Sequence, residues 1–163
     1  MRHLPKHLQP RWRYLAVGLE SWPDAELSRR DLQAALWESA RALLGDPGSA
    51  DADLTVLRFS FDGGTGEAVV RVRRDEVTRS RAAVACVSSI DGQPVGLAVL
   101  GTSGTVRACE EKYLSERPQA RGERTVAFGG AERPAVVRGS RLDVRRRGDD
   151  GFTGATNLDL EQG

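Results

Sequence analysis

The fold is decided by the stretch LTVLRFSFDGGTGEAVVRVRR, Leu54 to Arg74, in which apolar and polar residues alternate on both sides of a glycine turn. A period of two is typical of a β-strand with one buried face. The apolar positions include Leu57, Phe59, Phe61, Val70 and Val72, and the positions between them include Arg58, Arg71 and Arg73. Because Asp62-Gly63-Gly64 favours a tight turn, the stretch predicts a β-hairpin.

The segments on either side of this hairpin predict a strand and a helix before it, and a helix, a strand and a last helix after it. They are a strand over Arg11–Leu19, a helix capped at Ser28 and ended by Gly45, a helix over Val77–Ile90, a strand over Pro94–Leu100 and a helix over Val106–Leu114. The order β-α-β-β-α-β is that of ferredoxin-like and RNA-recognition-motif folds. We therefore predict an α+β sandwich, a four-stranded antiparallel sheet with two helices on one face, followed by an extra C-terminal helix.

From Glu116 onward the composition changes. The segment is rich in Gly, Arg and Pro and nearly free of long apolar periods, which is typical of disordered or weakly ordered chain. Short apolar pieces such as Thr125–Phe128 and Ala135–Val137 could instead pair as strands. The sequence thus predicts an α/β domain over residues 1–115, with a basic arm over 1–10, and a disordered tail over 116–163.

The net charge of +1 hides a segregation of charge along the 163 residues. Residues 1–14 carry four Lys or Arg and no acid, whereas residues 20–53 carry eight acids against three Arg. A domain with one basic and one acidic side suits a polyanionic partner better than its net charge suggests. The N-terminus lacks the apolar segment of a secretion signal and no apolar run could span a bilayer. With Cys86 and Cys109 expected as buried, reduced thiols, we expect a cytoplasmic protein with no membrane partner.

The residues do not predict a catalytic or metal site in the protein. Gly101-Thr102-Ser103-Gly104-Thr105 lacks the last glycine of a nucleophile elbow. The only histidines, His3 and His7, lie in the arm, and no third ligand has a suitable spacing. We therefore expect no catalytic residue and no metal or other cofactor on the protein itself.

Two places could bind an anion. The turn Ser103-Gly104-Thr105 leads into a helix, so it can serve as a helix cap, as a phosphate contact, or as both. The sheet face opposite the two core helices would carry Tyr14 among three arginines, Arg58, Arg71 and Arg73. Such a face suits RNA, but it could equally be a solvated basic face, or be covered by the last helix.

Four motifs in order resemble the archaeal ribonuclease P protein component 2 family, which is Pop5-like. They lie in LPKHLQPRWRYLAV, GEAVVRVRRDEVTRSRAAVACVSSIDG and VLGTSGTVRACEEKYL. The motifs are Arg13-Tyr14, Arg81-Ala82-Ala83, Ser103-Gly104-Thr105 and Lys112-Tyr113-Leu114. The resemblance covers residues 1–115 and leaves the tail outside it.

The resemblance implies an RNA-recognition-motif-like protein subunit of the endoribonuclease that removes the 5′ leader from precursor tRNA. It implies that the ribonuclease P RNA and its Mg²⁺ ions carry the catalysis, and that this subunit supports that RNA. The implied partners are ribonuclease P RNA, protein component 3 and other subunits, with precursor tRNA as the substrate of the holoenzyme. Glu110-Glu111 depart from the basic helix surface that RNA contact would favour.

Together these considerations give a set of expected RNA-binding residues. They are Lys6, Arg11, Arg13, Tyr14, Arg58, Arg71, Arg73, Arg74, Ser103, Gly104, Thr105 and Lys112. The alternative hypothesis is a ferredoxin-like protein-interaction or ligand-sensing module with no RNA partner. That alternative accounts for the fold and the cap, but not for a basic arm free of acids.

Overall fold

The computed structural model describes residues 5–8, 11–114, 121–148 and 151–160. The chain divides into two compact units, residues 1–116 and 117–163. The first unit begins with a single 3₁₀ turn, Lys6–Leu8. Its other elements are β1 (Trp12–Glu20), α1 (Arg29–Ala52), β2 (Thr55–Asp62), β3 (Thr65–Arg73), α2 (Val77–Ala85), β4 (Ser89–Ile90), β5 (Gln93–Pro94), β6 (Gly96–Ser103) and α3 (Val106–Cys109), which continues as a π turn over Glu110–Leu114.

The main sheet of this unit has the strand order β2-β3-β1-β6 with every neighbouring pair antiparallel. The predicted α+β class is confirmed. Alternation along the hairpin places Val70 and Val72 of β3 in one core with Leu32 and Leu36 of α1 and with Val84 of α2. Both long helices therefore pack on the same face of the sheet.

Helix α1 begins at a complete capping box. The Ser28 hydroxyl accepts from the Asp31 N–H, and the Asp31 carboxylate accepts from the Ser28 N–H at 2.9 Å. The Ser28 hydroxyl also donates to the Asp31 carboxylate. The two hydrogen bonds that this carboxylate accepts, the one from the Ser28 side chain most of all, lower the pKa of Asp31. At Gly45 the backbone leaves the helical region, with φ of 73°, and Pro47 opens a second helical segment that runs on to Ala52.

The opposite face of the sheet is covered at its centre by α3 and the π turn. Ala16 of β1, Val69 of β3 and Cys109 of α3 form a second buried cluster, on which Tyr14 and Tyr113 pack. Gly101 of β6 makes this docking possible, since a Cβ at that position would lie 2.2 Å from the ring of Tyr113. The last helix thus occupies much of the face that sequence reasoning had left open.

The predicted end of α2 at Ile90 is wrong, because the helix ends at Ala85. Val87 and Ile90 are still buried in the core. They reach it from an extended segment that turns at Asp91-Gly92, where both residues have positive φ, and returns as β5. Apolar spacing alone could not distinguish these two ways of burying the same side chains.

The predicted disordered tail is also wrong for residues 121–148 and 151–160. They form an antiparallel sheet of order β10-β9-β8-β7. Its strands are β7 (Arg121–Phe128), β8 (Ala131–Arg138), β9 (Arg141–Arg145) and β10 (Phe152–Thr156). Glycines that were interpreted as disorder, Gly129, Gly130 and Gly139, have positive φ in the short hairpin turns. Val126, Ala135, Leu142 and Val144 give this second unit its own buried cluster.

We predict that Asp31→Ala lowers stability at neutral pH by about 0.5–1 kcal/mol, because it removes half of the capping box and a negative charge at the helix N-terminus. Since the pKa of Asp31 is lowered on folding, this contribution is present above about pH 3.8, the ordinary value for the carboxyl, and is lost as the pH falls through the lowered value. Urea unfolding at pH 7 and pH 3 measures it, with Glu38→Ala on the exposed side of α1 as control. An equal difference at both pH values would contradict a role for the ionised carboxylate.

We also predict that Gly101→Ala displaces α3, because the new Cβ would occupy the position of the Tyr113 ring. Cys109 reports this change: its thiol is buried, donates to the Tyr14 carbonyl oxygen at 3.6 Å, and has a pKa raised by burial to about 11. In a Cys86→Ser background, which removes the exposed thiol, a disulfide reagent at pH 8 should modify Cys109 much faster in Gly101→Ala. Gly96→Ala is the control, since nothing lies within 4 Å of its Cβ position. Equal rates in the two variants would show that α3 does not depend on Gly101.

Candidate nucleic-acid interface

Arginines gather at the end of the sheet where β1 begins and β3 ends. In the antiparallel register Trp12 lies opposite Arg73, and Tyr14 lies opposite Arg71. The Arg74 N–H donates to the Arg11 carbonyl oxygen at 3.0 Å, which joins the two chain segments just beyond the strands. We call this end of the sheet the arginine edge, formed by Arg11, Arg13, Arg71, Arg73 and Arg74.

The sequence-predicted turn at the start of α3 lies beside the arginine edge. A Cβ on Gly104 would be 3.1 Å from a guanidinium nitrogen of Arg13. Thr105, and not Ser103, is the N-cap of α3, and its hydroxyl accepts from the Ala108 N–H at 3.1 Å. Ser103 is the last residue of β6, opposite Tyr14. The cap hypothesis therefore holds for Thr105.

Trp12 is a member of this site that sequence reasoning missed. The guanidinium carbon of Arg71 lies 4.0 Å from the centre of the Trp12 ring, and that of Arg73 lies 4.7 Å from it. Both contacts are within the range of cation–π attraction. The signal was present, since Trp12 stands two residues before Tyr14 and so shares its face of β1.

The acids near the arginine edge neutralise only part of its charge. Asp53 forms an ion pair with Arg73 at 3.7 Å; the Asp53 side chain is 42% exposed and the Arg73 side chain 40%. A pair as long and as open to water as this one contributes little. Asp75 is exposed, and Glu76 pairs with Arg79 at 3.1 Å.

Tyr14 and Arg58 lie on the predicted sheet face but have other surroundings. Tyr14 packs on the buried cluster beneath α3. Arg58 of β2 pairs with Glu110 of the π turn at 3.5 Å, in an exposed position. The structure therefore brings Arg71 and Arg73 together at the edge and places Arg58 against the helical cover.

The two predicted lysines are exposed. Lys112 lies on the π turn, with its ammonium 5.3 Å from the centre of the Tyr113 ring. Lys6 lies in the 3₁₀ turn of the basic arm, of which residues 1–4, 9 and 10, including His3, are outside the described residues.

Within the described parts of the chain, no three His, Cys, Asp or Glu side chains lie close enough together to hold a metal ion. Among the same residues, no helix is long and apolar enough to cross a membrane.

Comparison with known proteins shows the family to which the sequence belongs. The model of the Rpp14/Pop5 family of ribonuclease P proteins matches residues 13–114. The chain belongs to the Rpp14/Pop5 family. Membership was predicted from four short motifs, and it is confirmed. The prediction that the chain is a ribonuclease P protein subunit, and therefore part of an endoribonuclease assembly, is confirmed as well.

Relatives named ribonuclease P protein component 2 match this family member over two different lengths. That of Natronomonas pharaonis is 59% identical to it, over 98% of this chain and 98% of its own length. That of Halorubrum lacusprofundi is 58% identical, over 99% of this chain and 100% of its own length. That of Methanosarcina mazei is 36% identical over 71% of this chain and 95% of its own. A chain in the cryo-EM structure of yeast ribonuclease MRP is similar with a TM-score of 0.48 and 16% identity, over 61% of this chain and 79% of that one.

Proposed function

We propose that this protein binds and supports the catalytic RNA of ribonuclease P in the removal of the 5′ leader from precursor tRNA. On this proposal the RNA and its Mg²⁺ ions carry the chemistry, and the protein supplies neither a catalytic residue nor a metal ligand. The observation that carries the proposal is the arginine edge, where five arginines lie at one end of a sheet and two of their guanidinium groups share the Trp12 ring. Such groups suit RNA phosphates because their planar donors match phosphate oxygens.

The described aromatic residues on this side of the sheet favour contact with the RNA backbone over base stacking. Domains that read single-stranded RNA leave aromatic rings open on the sheet. Here Trp12 lies beneath two guanidinium groups, and Tyr14 and Tyr113 pack on the buried cluster. We propose that residues 11–103 form a ferredoxin-like or RNA-recognition-motif-like domain, which the strand order β2-β3-β1-β6 supports, and that its edge binds phosphates.

The proposed interface extends from the arginine edge to neighbouring groups. Its members are Lys6, Arg11, Arg13, Tyr14, Arg58, Arg71, Arg73, Arg74, Ser103, Gly104, Thr105 and Lys112. The position of Arg13 beside Gly104 supports joining the turn to the edge. Arg58 would contribute less, because Glu110 pairs with it. Lys112 would contribute less, because Glu110 and Glu111 lie in the same π turn.

We propose protein component 3 and other subunits as further partners, in the cytoplasm. Support comes from α1, which carries acidic residues and two exposed apolar side chains, Trp37 at 51% and Leu43 at 47%. Exposed apolar groups on a helix suit a protein surface better than they suit RNA.

Reconstitution tests the proposal. The ribonuclease P RNA of the source organism, with its full set of protein components, should cleave the 5′ leader of a precursor tRNA under multiple-turnover conditions. Omission of this chain should lower that activity by at least tenfold at the same Mg²⁺ concentration. An equal rate without the chain, or no binding of the RNA by the chain, would overturn the proposed function.

The location of the interface is tested by the salt dependence of RNA binding. We predict that Arg71→Ala and Arg73→Ala each lower the slope of log K against log salt by about one unit, because each removes one phosphate contact. Arg41→Ala, an exposed arginine of α1 on the other side of the sheet, is the matched control and should leave the slope unchanged. Unchanged slopes in both edge variants would place the RNA elsewhere on the protein.

A further inference from the structure

We propose that the guanidinium groups of Arg71 and Arg73 together bind RNA phosphates, and that Trp12 is the residue that positions them. We call these three residues the clamp, and the two guanidinium groups its prongs. The inference rests on the proposed function, which supplies the RNA. It goes further by assigning a role to a residue that itself need not touch the ligand, and by naming the ligand chemistry as the phosphodiester backbone.

The register of β1 and β3 brings the three residues of the clamp together. Arg71 and Arg73 are two residues apart on β3, so both side chains stand on the same face of the sheet. Trp12 lies directly opposite Arg73 and diagonal to Arg71, which brings its ring within reach of both side chains. The observed distances of 4.0 and 4.7 Å from the ring centre follow from this placement.

The ring reduces the freedom of two long side chains. A free arginine loses much rotamer entropy when it is fixed against a ligand. A guanidinium group that already lies against an aromatic ring has lost part of that entropy on folding, and it keeps its in-plane donors for a phosphate. Asp53, 3.7 Å from Arg73, gives that prong a second contact.

Arg71 gains from the ring in a second way. Its Nε is buried, and no hydrogen-bond acceptor for it lies among the described residues. A buried donor without an acceptor destabilises the folded state. The attraction between the guanidinium and the Trp12 ring compensates for part of this loss.

The test is a double-mutant cycle on the full chain, with its ribonuclease P RNA as the probe. Trp12→Leu keeps an apolar side chain but removes the ring, and we expect it to weaken binding by about fivefold, the size of one to two exposed cation–π contacts. Trp12→Phe keeps a smaller ring and should restore binding to within about twofold. In the Arg71→Ala/Arg73→Ala background, Trp12→Leu should change binding by less than about twofold, because nothing remains for it to position.

A second measurement tests the geometry without RNA. The ring should shift the Nε–H resonances of Arg71 and Arg73 upfield in the free protein, and Trp12→Leu should abolish that shift. Trp22→Leu changes a tryptophan just beyond the opposite end of β1. It is the matched control and should affect neither the resonances nor RNA binding.

The outcomes separate the clamp from the proposed function. Failure of the wild-type chain to bind the RNA overturns both. If the wild-type chain binds but Trp12→Leu has the same effect in both arginine backgrounds, Trp12 acts through the fold or touches RNA directly, and the clamp is wrong. Unshifted arginine resonances in the wild-type protein would also overturn it.

Discussion

Burial of the central strand on both faces is the constraint on which the rest of the first unit depends. Five consecutive residues of β1, Leu15 to Leu19, are buried, so helices α1 and α2 must cover one face and α3 must cover the other. Burial of this kind is the main source of stability. It also leaves the middle of the strand unavailable to a ligand. The two ends of β1 remain accessible. Arg11, Trp12 and Arg13 lie at the start of the strand.

The close contact between Gly101 and Tyr113 shows how this constraint directs function. Because β6 has no side chain at Gly101, the Tyr113 ring can lie against the sheet and fix the π turn over Ala16 and Val69. Tyr14 and Tyr113 thereby pack on the buried cluster. On the proposed function, RNA contact then relies on the phosphate backbone, for which the arginine edge supplies the charge.

Local patterns in the sequence were enough to predict most of the first unit. Alternation from Leu54 to Arg74 predicted the hairpin, and Ser28 with Asp31 predicted the start of α1, because both signals lie within a few residues. The end of α2 escaped prediction because Val87 and Ile90 are buried in the same core from an extended segment. The second sheet escaped because its strands carry few large apolar residues, and glycine-rich turns resemble disordered chain in composition. Trp12 was missed for another reason: its role depends on the cross-strand register with Arg71 and Arg73, which only pairing reveals.

The small net charge of +1 limits how this protein can attract a polyanion. Acidic residues within α1 lie on the helical side of the sheet, whereas Arg71 and Arg73 face the other side, one layer of roughly 10 Å away. Asp53, just after the helix, is the exception, 3.7 Å from Arg73. The Debye length is about 8 Å at physiological ionic strength, so those acids do little to cancel the field at the arginine edge. By the same screening, that edge cannot attract RNA from far away. Affinity then depends on groups that are already in position when the phosphates arrive. An aromatic ring that holds two guanidinium groups in place meets that requirement, and its contribution persists when added salt has screened the long-range attraction.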